Sequence, residues 1–102
     1  MISSIRHVGF VVSDLENSLK FYSDILGLKI YRRFIEEGDF IDSLTGIKNV
    51  KLEWAKLIIP QGGLIELLQY HSHPDPDTSN NLSRSSSNRL GCSHVALTVE
   101  NL

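Results

Sequence analysis

His7, Glu66 and His94 are the residues of this 102-residue chain whose types and settings point to divalent-metal chemistry. Imidazole and carboxylate are donors that Mn, Fe, Co, Ni and Zn all accept, so the residue types imply a divalent ion without naming it. Glu66 lies within Leu64-Ile65-Glu66-Leu67-Leu68, where an ionised carboxylate among apolar neighbours is costly unless it is paired, hydrogen-bonded or bound to a cation. His7 and His94 open two similar stretches: His7-Val8-Gly9-Phe10-Val11-Val12-Ser13-Asp14-Leu15 and His94-Val95-Ala96-Leu97-Thr98-Val99-Glu100-Asn101-Leu102. A single strand histidine is ordinarily a structural or surface residue, and a glutamate alternating with apolar residues ordinarily faces solvent. The repeated His-Val opening together with Glu66 is what favours a shared cation.

The elements that must position these residues follow from periodicity. Ile5 to Val12, rich in β-branched and aromatic residues, reads as a strand. Alternation puts His7 on one face with Gly9 and Val11, and leaves Val8, Phe10 and Val12 to pack against a helix. Ser13 and Glu16 form a capping-box pattern, Leu15, Leu19, Tyr22 and Leu26 make one apolar stripe, and Gly27 ends the helix. Leu28 to Arg33 is a second strand. Glu36 to Ile47 is mixed, with a turn of helix possible around Phe40 to Leu44 before Gly46. Val50 to Ile59 and Leu64 to Tyr70 are strands joined through Pro60, Gly62 and Gly63. Residues 71–90 turn polar, as a linker would, and Cys92 to Val99 reads as another strand. Two copies of one supersecondary unit are implied, the second stopping where its helix should begin. The chain therefore reads as a fragment, or as a unit completed by a second copy.

Composition removes several classes of partner. Lys plus Arg total 10 against 12 Asp plus Glu, with no basic cluster, so a nucleic-acid partner is not expected. No apolar run approaches the roughly 20 residues that span a bilayer, and no leader pattern opens the chain. With one cysteine, Cys92, there is no internal disulfide, which fits a reducing, cytoplasmic setting. A chain this short buries a modest core, so a homodimer is expected.

Three stretches resemble the vicinal oxygen chelate superfamily, which groups glyoxalases, methylmalonyl-CoA epimerases, bleomycin-resistance proteins and extradiol dioxygenases: His7 through the Phe21-Tyr22 and Gly27-Leu28 segment, the Leu64 to Leu68 strand, and Gly91 to Leu102. The resemblance implies an α+β fold built from βαβββ modules, here a first module over residues 1–70, a polar linker over 71–90, and the first strand of a second module over 91–102. It implies His7, Glu66 and His94 as metal ligands, with a fourth carboxylate beyond Leu102. The chemistry implied is that of an isomerase or lyase acting on a small substrate by proton abstraction beside a metal-chelated carbonyl oxygen. An extradiol dioxygenase relative is an alternative, although the resembling dioxygenases place their carboxylate after the second histidine. A ligand-sequestering module of the bleomycin-resistance type, without metal, is another.

Other residues carry plainer expectations. Glu36, Glu37, Asp39 and Asp42 could reach a cup mouth as a general base, but a solvated acidic loop is the ordinary state of such a segment. His71 and His73, followed by Pro74, read as surface residues. Cys92 shares parity with His94, and Trp54 reads as core or dimer contact.

Overall fold

The computed structural model describes residues 1–76 and 86–100. The centre of the expected linker, 77–85, and the final two positions of the expected second module, 101–102, lie outside the described residues. The elements are strand β1 (His7–Val11), helix α1 (Leu15–Leu19) continuing as a π-helical segment (Lys20–Ile25), β2 (Lys29–Glu36), helix α2 (Asp39–Thr45), β3 (Leu52–Ile58) and β4 (Leu64–Tyr70). They make one mixed sheet in the order β1-β4-β3-β2, with β1 parallel to β4 and the other pairs antiparallel. The fold is α+β, as the resemblance implied, and α2 is the turn of helix anticipated before Gly46, which ends it in the left-handed region at φ 73°.

Alternation along β3 and β4 sorts the side chains into two layers. Ala55, Leu57, Ile65 and Leu67 turn to α1 and close a core with Leu15 and Leu19, onto which Phe10, Val12 and Tyr22 pack as the parity of β1 predicts. Leu52 and Trp54 turn to the opposite face and pack with Ile41 of α2 and Val50, so Trp54 is a core residue. That second cluster covers only part of its face; the remainder carries His7, Lys56 and Glu66. At the outer edge, β2 presents Lys29, Arg32 and Arg33, charges that discourage another strand from pairing there.

The start of α1 departs from the expected capping box. Asp14, one residue after Ser13, is the cap: its carboxylate accepts from the Asn17 backbone N–H at 3.1 Å and from Asn17 Nδ2 at 3.2 Å. The first free N–H of the helix, that of Leu15, donates to Gln69 Oε1 of β4 at 2.8 Å, which ties the helix to the sheet. Glu16, freed from capping, pairs with Arg33 of β2. Asp14→Ala should destabilise the protein by about 1 kcal/mol in thermal or urea unfolding, the usual cost of a lost N-cap, whereas Ser13→Ala should be near neutral.

Two further expectations change. The stripe through Leu26 does not continue as an α-helix, because the backbone shifts to wider turns, the Leu26 N–H donating to Phe21 O at 2.9 Å. Residues 92–99, expected as a strand, carry no regular secondary structure, and Val95, Leu97 and Val99 are exposed. A strand is stabilised by a hydrogen-bonded neighbour, and among the described residues the sheet consists of β1 to β4 alone.

Candidate metal centre and its surroundings

Parallel pairing of β1 with β4 aligns His7 with Leu64 and Gly9 with Glu66, so His7 and Glu66 share a face two positions apart. His7 Nε2 stands 3.4 Å from Glu66 Oε1. That distance lies beyond an ordinary N–H···O bond and lacks its alignment. It is close to the spacing of about 3.4 Å between two donors held about 2.1 Å from one tetrahedral ion. The other ring nitrogen, Nδ1, is buried with no hydrogen-bond partner among the described residues, an uncommon state for a polar atom. Gly9 keeps the space beside the carboxylate open: a Cβ there would meet Leu68 Cδ1 at 3.1 Å and Glu66 Oε1 at 3.7 Å.

The Glu66 side chain is only 12% exposed, so its charge needs compensation. Lys56 of β3, directly paired with Glu66, supplies part of it, with Nζ 3.8 Å from Oε2. The same ammonium lies 4.6 Å from the centroid of the Trp54 ring. Glu66 thus turns one oxygen to Lys56 and the other to His7, and the His7 side is where two donors converge. His94 does not join them. It is exposed, and among the described residues no group of three His, Cys, Asp or Glu side chains is placed to hold one ion.

The acidic segment before β3 serves structure. Asp42 accepts from the backbone N–H groups of Asn49 at 2.9 Å and Val50 at 3.0 Å, and Glu36 accepts from Trp54 Nε1 at 2.5 Å. These bonds follow from tertiary folding and carry no signature in the local sequence. The same holds for His71, which is at the surface as expected but is engaged: its Nε2 lies 2.9 Å from Glu53 Oε1, while Arg33 Nε donates to Glu53 Oε2 at 2.8 Å. Burial pushes the Glu53 carboxyl up, but the His71 hydrogen bond and then Arg33 outweigh it, so the group is held below its ordinary range. Stability from Glu53 is therefore complete above the ordinary carboxylate range and is lost as pH falls through that range toward the lower folded value. Glu53→Gln should flatten the acid limb of a melting-temperature profile; an unchanged acid limb would show that the cluster contributes nothing to it.

A hollow of about 940 Å³ at the far ends of β1 and β4 is lined by Val11, Ile47, Tyr70 and His73, and contains neither His7 nor Glu66. A smaller depression of about 520 Å³ lies on the Lys56 side of the pair.

A model of the Glyoxalase/Bleomycin resistance protein/Dioxygenase superfamily matches residues 4–102. The chain belongs to that superfamily. A crystal structure of a glyoxalase family protein from Bacillus cereus is similar at a TM-score of 0.72 and 28% sequence identity, the alignment covering 89% of this chain and 59% of that one. The chain spans less than two thirds of the length of that glyoxalase family protein. No curated protein matches it. Superfamily membership agrees with the βαβββ order seen here, α2 being an addition between β2 and β3. Among the described residues, no helix is long and apolar enough to cross a membrane.

Proposed function

We propose that this chain contributes His7 and Glu66 to a divalent-metal centre of glyoxalase or epimerase type, in a cytoplasmic isomerase or lyase acting on a small carbonyl substrate. The observation that carries this reading is the convergence of His7 Nε2 and Glu66 Oε1 at 3.4 Å beside an unpartnered ring nitrogen and a glycine gap. A bound divalent ion would polarise a carbonyl oxygen and stabilise the negative charge left when a neighbouring C–H proton departs. The chain's own part is to hold two donors on paired strands, with Lys56 fixing the second oxygen of Glu66. His94 is the third ligand of this reading, brought in by a rearrangement of residues 91–100 or by a second copy in a homodimer.

Titration of the purified chain with Co²⁺, followed by visible absorption and by mass measurement on the same sample, tests the proposal. Saturable binding that depends on His7 and Glu66 is the expected result. A metal-free chain indifferent to both substitutions would instead favour the ligand-sequestering alternative. The absence of a third ligating side chain beside the pair among the described residues is the observation on that side.

A further inference from the structure

The depression beside Glu66 has a charge and a surface that select its occupant. It is lined by Arg6, Arg32, Lys56, Glu36, Phe34 and Trp54 among others. Its one carboxylate, Glu36, is already engaged by the Trp54 indole, and of its three cations Lys56 is also paired with Glu66 at 3.8 Å. No carboxylate among the described residues lies within ion-pair distance of Arg6 or Arg32. Arg32 instead rests over Phe34, 5.7 Å from the ring centroid, and Lys56 over Trp54. Phe34 and Trp54 are cross-strand neighbours with centroids 6.1 Å apart and rings tilted by 37°; Trp54 is buried beneath Lys56, and Phe34, 48% exposed, presents the open ring.

We propose that this depression binds the substrate, and that the substrate is an anion carried on a flat, unsaturated body. Arg32 and Lys56 take its carboxylate or phosphate, and the half-exposed Phe34 ring takes its plane. A guanidinium suits a planar oxyanion through paired donors, and an exposed aromatic ring recognises a flat ligand without demanding a particular pattern of polar groups. Lys56 touches both Glu66 and the depression, so an anion seated there lies next to the proposed metal centre. The inference deepens the proposed function and rests on it for the role of that centre.

Trp54 is the only tryptophan, so its fluorescence reports directly on the depression. The full chain is titrated with benzoate, with benzamide as the neutral ring and acetate as the anion without a ring, first with chelator present and then with Co²⁺. Benzoate should bind about tenfold more tightly than either comparison compound. Arg32→Gln, on the exposed edge strand, should weaken benzoate binding by about tenfold and leave benzamide unchanged. Lys56→Gln should act alike, with Lys56→Arg restoring affinity. If Lys56→Gln fails to fold, Arg32→Gln still decides. Benzamide or acetate binding as well as benzoate, or benzoate binding indifferent to Arg32→Gln, overturns the proposal. Loss of benzoate binding while Glu66-dependent Co²⁺ binding persists removes this inference alone; the reverse removes the metal centre and leaves the anion site standing.

Discussion

Glu66→Gln is expected to weaken Co²⁺ binding by about a hundredfold or more, since removing groups that merely orient a metal ligand already costs about 10–100-fold. Glutamine keeps the shape of the side chain but removes the negative charge and replaces one oxygen by an N–H₂ donor. The bland account of Glu66 is a carboxylate compensated by Lys56 alone. Under that account the substitution would lower the melting temperature through the orphaned ammonium and leave Co²⁺ uptake as it was. Under the proposed account His7→Ala reproduces the loss of Co²⁺ binding, and Lys56→Gln, which removes the group holding the second oxygen of Glu66, weakens it by about 10–100-fold. Measuring affinity and melting temperature on all three variants separates the two; metal binding that survives Glu66→Gln rules out the carboxylate as a ligand.

The adjacent residue should respond in a different currency. Leu67 is fully buried between α1 and the sheet, in contact with a cluster that includes Leu15, Leu19 and Leu57. Leu67→Ala should cost about 2–5 kcal/mol through lost burial and the cavity left behind. Domains of this size have only about 5–15 kcal/mol in total, so the variant should melt far below the parent protein or fail to accumulate. Leu44→Ala, by contrast, removes a side chain that is 70% exposed and should change stability by less than about 0.5 kcal/mol. Urea unfolding read by circular dichroism gives both numbers. A loss at Leu67 no greater than at Leu44 would mean that β4 does not turn its odd-numbered residues inward.

Strands β1 to β4 were legible in the sequence because their alternation is a local property, but similar alternation at 92–99 accompanies no strand. The parity of His7 against Phe10 holds in the structure. The mixed segment before Gly46 leaves α2 as one possibility only, whereas Gly27 was legible as a helix end because it takes a positive φ that other residues adopt at a cost. The π-helical segment was not, since a widened turn leaves the apolar spacing of Leu15, Leu19 and Tyr22 intact and alters only which carbonyl accepts. Asp14 is hidden as the cap because Ser13 and Glu16 satisfy the same pattern one residue earlier. Of the site, the pairing of His7 with Glu66 could be anticipated from residue types and the family resemblance. The contributions of Lys56 and Arg32 could not, because they arise from the register of β3 against β4 and β2, where a shift of one residue would send them to the other face.

The pairing of β1 with β4 has a consequence for how this module matures. His7 leaves the ribosome before Glu66 on β4, which follows only after the helices and two intervening strands have been made. Closing that loop costs entropy that grows slowly with its length, and folds rich in contacts distant in sequence form more slowly. A nascent chain halted before residue 66 would hold a histidine with nothing to face, so any ion-gripping capacity would report that the module has finished folding.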